Sequence, residues 1–446
     1  MNTRNGFRTH KGNNFVADFG SRVPQFAFQH FFFAYFVYFA VGKFLNSKLK
    51  TQNSKLRRLV PLLLDWFAAN ARDLPWRRTR DPYAIWVSEI MLQQTQVKTV
   101  IPFWNRWLRE LPTIEAAAKA SSEKIHKLWE GLGYYTRVRN LQKAAQQIVK
   151  SGKRKAESGN SVCQFPEKYE DVLALPGIGR YTAGAICSIA FNQPTSILDG
   201  NVIRVLTRIF GIAENPKEKE TNKLLWQLAE KLVCRAKEIR WGERPREPDF
   251  GHQSHATARG DARPTKKQNC SHLNQSLMEL GALVCTPRNP QCLICPVKKL
   301  CVAFKENRTE ELPNLGKHAT ATARTLFAFV IESDGKFLVQ QRPAGIVNAH
   351  LWEFPNFETN GGKNNAQEIF DSIFDFKATK FQPLCTIKHS ITRYRMTLEA
   401  FHVRLKNSPK KSAGVWLSPK EFDSIAFSSA HKKLASFAAD CILSDR

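Results

Sequence analysis

Four cysteines near residue 290 constrain the fold more than any other feature of this chain. Their spacing is Cys285-x6-Cys292-x2-Cys295-x5-Cys301, which places four thiols in one compact loop. Zinc ribbons and knuckles pair two C-x-x-C turns, whereas this loop has one such turn between wider gaps that suit a larger [4Fe–4S] cluster. The spacing therefore favours an iron–sulfur cluster over a zinc ion, and it is typical of a reducing compartment rather than of a disulfide framework.

Length and charge narrow the class of protein. A chain of 446 residues is too long for one ordinary core, so two or three domains are expected. Lys and Arg number 67 against 39 Asp and Glu, a formal net charge of +28. Such an excess attracts polyanions, which favours nucleic acid or an anionic membrane as partner. A solvated basic surface without a partner is the alternative.

Residues 1–54 form an N-terminal extension of unusual composition. The stretch 26–45, FAFQHFFFAYFVYFAVGKFL, is strongly apolar, but Gln29 and His30 interrupt it and it is barely of membrane length. A signal peptide and an organellar presequence are alternatives, the latter because residues 1–57 contain a single acid. The favoured interpretation is a disordered extension or a start assigned too far upstream.

A change of periodicity separates two domains. Residues 55–304 show helical spacing without strand alternation, so an all-α domain is expected there. Within it, segment 235–271 is rich in Arg, Gly, Pro and His and is interpreted as a long exposed insertion. A polar linker at 305–324 follows, and residues 325–446 contain a hairpin signal, further strand-like runs and a closing helix, which together predict an α+β domain.

The turn LPGIGRY at 175–181 has the form of a helix–hairpin–helix. Gly177 and Gly179 would let backbone N–H groups approach a phosphate at the start of a helix. The turn lacks the length and the Lys-Ser/Thr pair of a P-loop. Because Gly-x-Gly turns between helices are common, an ordinary helix connection is the alternative.

Two acids occupy contrasting surroundings. Glu89 lies in WVSEIMLQQTQ, among apolar and amide side chains, and Asp199 directly precedes an expected helix start. Hydrolysis of an N-glycosidic bond needs a proton for the leaving base and a negative charge beside an oxocarbenium-like sugar. Apolar surroundings raise the pKa of an acid, and a helix N-terminus favours a carboxylate. A surface Glu and an N-capping Asp are the simpler alternatives.

Several long motifs occur together and in a specific order. They are LPWR, SEIMLQQTQV, GLGYYTRVRNL, LPGIGRYTAGA, ILDGNVIRVL and the four-cysteine loop. In these motifs the chain resembles the MutY family of adenine DNA glycosylases, which belongs to the helix–hairpin–helix, iron–sulfur superfamily that includes endonuclease III. The resemblance is strong over 55–302 and weak over 325–446. It implies a multidomain fold: an all-α helix–hairpin–helix glycosylase with a [4Fe–4S] module, plus a C-terminal α+β Nudix-like domain.

The resemblance also implies roles for the matching residues. Catalysis would fall to Glu89 as proton donor to adenine N7, Asp199 as stabiliser of the cationic sugar, Asn201 as holder of the site and its water, and Tyr181 on the sugar side. DNA contacts would come from Trp76, Arg77 and Gln275 around the extruded adenine, from Gln94, Leu132 and Tyr134 near the opposite base, and from Gly177 and Gly179 at the backbone. The cluster ligands would be Cys285, Cys292, Cys295 and Cys301.

The C-terminal domain would recognise 8-oxoguanine opposite the adenine. The His-x-Phe-Ser/Thr-His loop of the family corresponds to His389-Ser390-Ile391-Thr392-Arg393, with Ile and Arg in place of Phe and the last His. Thr392 keeps a hydroxyl for the lesion, but the two departures leave stacking and affinity at this loop open. The stretch GGKNNAQEIFDSIF lacks the acidic Nudix box, which disfavours a Mg-dependent pyrophosphohydrolase.

The resulting expectation is a base excision repair enzyme that removes adenine from double-stranded DNA with A:8-oxoguanine or A:G mispairs. It would act as a monomer in the bacterial cytoplasm, without a nucleotide cofactor or a membrane, with targeting by residues 1–54 left open. A glycosylase/lyase similar to endonuclease III is the nearest alternative, but its Schiff base needs a lysine amine where this chain has Tyr181. A non-catalytic iron–sulfur DNA-binding protein is the other alternative, and the pair Glu89 and Asp199 disfavours it.

Overall fold

A computed structural model describes residues 53–155, 164–239, 268–316, 320–359, 365–391, 393–407, 409 and 413–444. The apolar stretch 26–45, most of the 235–271 insertion and Thr392 lie outside these ranges. Within these ranges, the residues from 57 onward form one compact unit. In the part of the chain that is described, no helix combines the length and the hydropathy needed to cross a bilayer.

The described chain is helical from its start to the cysteine loop, as the periodicity predicts. The helices are α1 (53–70), α2 (Pro82–Leu92), α3 (Val97–Glu110), α4 (Ile114–Lys119), α5 (Ser122–Trp129), α6 (Thr136–Lys155), α7 (Tyr169–Leu173), α8 (Arg180–Phe191), α9 (Gly200–Phe210), α10 (Lys219–Glu238), α11 (Asn269–Leu283) and α12 (Val302–Lys305). Both edges of the expected insertion are helical, since α10 runs to Glu238 and α11 begins at Asn269. The first residues of α11 are buried in the core, which explains why a polar sequence is helical there.

Local chemistry explains where these helices begin. The carboxylate of Asp81 caps α2 by accepting hydrogen bonds from the N–H groups of Tyr83 and Ala84, and the hydroxyl groups of Thr113 and Ser121 cap α4 and α5. Tryptophans fill much of the core between the helices, and the indole N–H groups of Trp104, Trp107 and Trp129 find acceptors inside it. The indole of Trp107, for example, donates to the hydroxyl of Tyr83 at 2.9 Å.

The C-terminal part is an α+β domain built on a mixed sheet. Its strands are β1 (Thr322–Ser333), β2 (Lys336–Gln341), β3 (Trp352–Glu353), β4 (Asn356–Glu358), β5 (Ala378–Ile391), β6 (Tyr394–Leu405) and β7 (Val415–Leu417), and its helices are α13 (Ala366–Ile373) and α14 (Ser429–Ser444). The sheet order is β3-β2-β1-β6-β5, with β4 on β1 and β7 on β2; β1 and β6 are parallel. The predicted hairpin β1–β2 and the closing helix are confirmed. Strand β1 begins inside the expected linker, at Thr322.

Candidate active site

One pocket collects the four predicted catalytic residues and four of the predicted DNA contacts. Its volume is about 500 Å³, and it lies between the Pro75–Arg77 turn and helices α2, α8, α9 and α11. The predicted residues that line it are Trp76, Arg77, Glu89, Gln94, Tyr181, Asp199, Asn201 and Gln275. Segments far apart in the sequence therefore meet at one site, whose size suits a ligand as large as a nucleobase.

Glu89 is a buried acid in this pocket. Helix α2 is buried along nearly its whole length, so its one carboxylate is only 4% exposed. Burial raises the pKa of Glu89 to about 7; the charge of Asp199 adds to the rise, and the hydrogen bond from Tyr181 opposes it. A carboxyl group with this pKa is partly protonated at neutral pH and can act as a general acid.

Tyr181 holds the carboxyl group of Glu89. It lies in the first turn of α8, and its hydroxyl donates to Oε2 of Glu89 at 2.8 Å, with Sδ of Met278 at 3.4 Å. Burial raises the pKa of Tyr181 well above its ordinary value, so the phenol keeps its proton. Tyr181 lines the pocket as expected, and its bond to the acid is a contact that the sequence did not predict.

Asp199 is the second carboxylate of the pocket. It caps α9: Oδ1 accepts the N–H of Val202 at 2.8 Å, and Oδ2 accepts the side-chain amide of Asn201 at 3.0 Å. Arg204 in turn donates to Oδ1 of Asn201 at 2.8 Å and so fixes that amide. Helix α11 passes so close that a Cβ on Gly281 would lie 2.7 Å from Cβ of Asn201. The arrangement presents a fixed negative charge at a helix N-terminus.

A third acid, Glu279, organises the opposite wall. It is 1% exposed and accepts hydrogen bonds from Arg72 and Arg77. Burial opposes its ionisation, but these bonds outweigh burial and lower its pKa to about 2. The Nε of Arg77 also donates to Oε1 of Gln275 at 3.0 Å. Glu279 was not predicted from the sequence, although it lies in the apolar run LMELGALVC, the same signal that indicated Glu89.

Two exposed residues, Gln94 in the pocket wall and Tyr134 in a loop linked to it, have strained backbones. Gln94 and Tyr134 both have positive φ, 57° and 47°, and the Tyr134 side chain is 46% exposed. Arg137 joins their two loops, because it donates to the carbonyls of Gln93 at 2.6 Å and of Gly133 at 3.1 Å. A backbone held in this way at two neighbouring points is typical of a functional site.

Leu132 is buried, unlike Tyr134 in the same turn. Its side chain is 6% exposed and belongs to the apolar core of the helical domain, so the structure does not place it at the surface with Tyr134. The insertion of Leu132 into a duplex stays a prediction, and it would require the side chain to leave this core.

The Gly-x-Gly turn joins α7 to α8, as a helix–hairpin–helix requires. Gly177 has φ +76°, and a Cβ there would lie 2.6 Å from Cβ of Asn140, so only glycine fits without a shift. Gly179 is the N-cap of α8 and provides no side-chain cap. The first N–H groups of α8 are therefore free of a side-chain acceptor at their own N-cap, which is the arrangement that suits a phosphate oxygen.

The four cysteines of the loop line one small pocket beside α9 and α11. Cys285, Cys292, Cys295 and Cys301 all contribute, together with the buried Arg208. Arg208 lies with Nη1 3.4 Å from Sγ of Cys285, and its carbonyl lies 3.4 Å from Sγ of Cys301. Four thiols with an adjacent guanidinium fit an anionic iron–sulfur cluster. The bound cluster would cross-link the segments of the domain that carry the cysteines.

The predicted lesion loop lies at the tip of the β5–β6 hairpin. His389 pairs with Met396 and Ile391 with Tyr394 in the antiparallel register, while Thr392 lies outside the described residues. His389 is half-buried, and burial together with the charge of Lys433 lowers its pKa. Arg393, where the family pattern has His, stacks on the ring of Tyr394 at 5.2 Å.

Comparisons with known proteins match both domains. Residues 87–231 match the HhH-GPD superfamily of base excision DNA repair proteins, residues 285–301 the iron–sulfur binding domain of endonuclease III, and residues 327–436 the NUDIX domain. These matches confirm the predicted fold and the iron–sulfur module, and they decide against zinc.

Full-length relatives are similar over both domains. The adenine DNA glycosylase of Rattus norvegicus is 34% identical, over 83% of this chain and 76% of its own length. Those of Mus musculus and Homo sapiens are each 33% identical over 83% of this chain, and over 76% and 72% of their own lengths. The chain belongs to the family of adenine DNA glycosylases.

Proposed function

We propose that this protein hydrolyses the N-glycosidic bond of adenine mispaired with 8-oxoguanine or guanine in double-stranded DNA. The observation that supports the proposal most is the pair of unlike carboxyl groups in one pocket of about 500 Å³: Glu89 with a pKa of about 7, and Asp199 at a helix N-terminus. Such a pair separates the tasks of acid and charge stabiliser. A binding protein without catalysis has no need of a buried acid with a raised pKa.

Protonation of the leaving base is assigned to Glu89. Its carboxyl group would donate a proton to N7 of an extruded adenine while the bond between N9 and the sugar breaks and its electrons pass to the base. The hydroxyl of Tyr181 keeps the carboxyl group oriented. Arg77 and Gln275, fixed to each other at 3.0 Å, would border the base.

The sugar side is assigned to Asp199 and Asn201. As the base leaves, positive charge develops on the sugar, and the carboxylate of Asp199 would stabilise it at short range in a partly dry pocket. Asn201 keeps Asp199 in place through its 3.0 Å hydrogen bond and would also orient the water that adds to the sugar. As the new C–O bond forms, the proton of that water would pass to the carboxylate of Glu89, which has given its own proton to the base, so the acid is restored.

The basic surface and the two strained loops are assigned to DNA. The net charge of +28 favours contact with the phosphate backbone, and the N–H groups near Gly177 and Gly179 are placed for one phosphate. Extruding a base costs a few kcal/mol of stacking and pairing. Gln94 and Tyr134, exposed and rigidly held, would enter the duplex and offset part of that cost.

Rates of adenine release opposite different bases test which mispair is the substrate. Single-turnover release of adenine should be fastest opposite 8-oxoguanine, slower opposite guanine, and slowest opposite cytosine and thymine. The reason is that the β5–β6 tip, with His389 and Thr392, would contact the opposite base. Equal rates on all four duplexes would contradict lesion recognition, although adenine removal itself would stand.

Strand cleavage should be weak. A lyase needs an amine that forms a Schiff base with the sugar, and the phenol of Tyr181 cannot form one. Borohydride should therefore trap little covalent protein–DNA adduct during turnover, while Tyr181→Lys provides the positive control with an amine at that position. Trapping of the unchanged protein in high yield would favour the glycosylase/lyase alternative.

A further inference from the structure

We propose that Lys127 and Glu130, at the end of α5, form a latch through which the C-terminal domain positions the 131–134 turn of the helical domain. The proposal rests on the function proposed above, because it is Tyr134 in this turn that would enter the duplex. It adds two positioning residues, neither of which lines the pocket.

In the polar part of the latch, the helical domain both donates hydrogen bonds to the C-terminal domain and accepts them from it. Nζ of Lys127 donates to the carbonyl of Ile425 at 2.9 Å, and the carboxylate of Glu130 accepts the N–H of Phe427 at 3.0 Å. Lys432 of α14 approaches Glu130 to 2.5 Å from the other domain. The side chain of Glu130 is 4% exposed, so the carboxylate end of these charge-assisted bonds is shielded from water. Without them, the N–H of Phe427 would be buried unpaired, and Glu130 would keep Lys127 of its own domain, 3.2 Å away, as its partner.

Apolar contacts make the same interface continuous. Leu351 and Ala426 of the C-terminal domain are buried in the apolar core of the helical domain, in one cluster with Trp129. Arg139, in the first turn of α6, donates to the carbonyl of Ala349 at 3.0 Å. The 131–134 turn is thus bracketed by Glu130 on one side and Arg139 on the other, both bound to the C-terminal domain.

Further contacts connect the latch to the pocket on one side and to the lesion loop on the other. Toward the pocket, Arg137 connects the turn to the loop of Gln94, as described above. Toward the lesion loop, α14 carries Lys432 on the latch and Lys433 beside His389, whose pKa is lowered by burial and by that lysine. Helix α14 contacts Glu130 through Lys432 and packs against β5, the strand that carries His389, so it can transmit a displacement from one to the other.

The first experiment changes Glu130 and measures a ratio. The ratio is the single-turnover rate on adenine opposite 8-oxoguanine divided by the rate opposite guanine. Glu130→Ala should lower it about fivefold or more, and Glu130→Gln should lower it less, since the amide still accepts the N–H of Phe427. The matched control is Glu110→Gln, which breaks an exposed ion pair with Lys124 inside the helical domain and should leave the ratio unchanged.

A second variant and a second readout keep the test decisive. Lys432→Met removes a lysine that is 55% exposed, so folding is not at risk, and it should lower the ratio in the same direction. Amide hydrogen exchange of Phe427 and of the 131–134 turn should be faster in Glu130→Ala. Ratios within about twofold of the unchanged protein in both variants would overturn the latch.

Failure of the latch is distinguishable from failure of the proposed function. If the unchanged protein shows no preference among opposite bases, lesion recognition fails, and the latch is judged by exchange alone. Faster exchange in the 131–134 turn then supports the coupling. Faster exchange at Phe427 with an unchanged turn limits Glu130 to holding the domains together and refutes the proposal.

Discussion

Glu89→Gln is expected to slow single-turnover adenine release by about 10²–10⁴-fold, the contribution usual for a general acid. The amide has the shape of the carboxyl group and can still accept the hydroxyl of Tyr181, but it has no proton to give to the leaving base. Product release with a labelled mispaired duplex, with enzyme in excess, measures the step directly. An unchanged rate would remove Glu89 from the mechanism.

Two controls separate lost chemistry from lost folding or binding. Duplex affinity should be retained, because the side chain of Glu89 is buried and does not face the phosphate backbone of the DNA. The melting temperature should not fall either. A carboxyl group whose pKa rises from 4.5 to about 7 on folding destabilises the folded protein once it ionises, so above that pKa the neutral amide is at least as well tolerated.

The pH profile provides a further check on the same residue. Because the protonated form of Glu89 acts, the rate should fall by about tenfold per pH unit well above a pH of about 7. The hydrogen bond from Tyr181 lowers this pKa, so Tyr181→Phe should shift the falling limb to higher pH. A profile that is flat through this range would show that the proton comes from another group.

Much of the site was visible in the sequence because its chemistry is local. Glu89 is an acid in an apolar helix, Asp199 precedes a helix start, and Gly177 marks a turn that excludes a side chain. The spacing of the four cysteines likewise indicates which thiols bind the cluster. Each of these signals lies within a few residues, so one sequence sufficed to find them.

Contacts between distant segments could not be read in the same way. The bond between Tyr181 and Glu89, and the double clamp of Arg137, depend on how helices pack. The burial of Leu132 is a result of the same kind, since the motif indicated a DNA contact and only the packing shows that the side chain lies in the core. The latch at Glu130 is also a product of packing, because its partners lie about 300 residues further along the chain.

Asp199→Asn should lower the rate of adenine release by about 10²–10³-fold, the rate loss that is usual when a preorganised electrostatic group is removed. Asparagine caps helices as well as aspartate does, so Oδ1 can still accept the N–H of Val202 and α9 should remain intact. Asp81→Asn is the matched control: it makes the same change at the exposed cap of α2, outside the pocket, and should leave the rate unchanged. If the two variants slow the reaction equally, the effect comes from helix capping, and the negative charge of Asp199 has no part in stabilising the sugar.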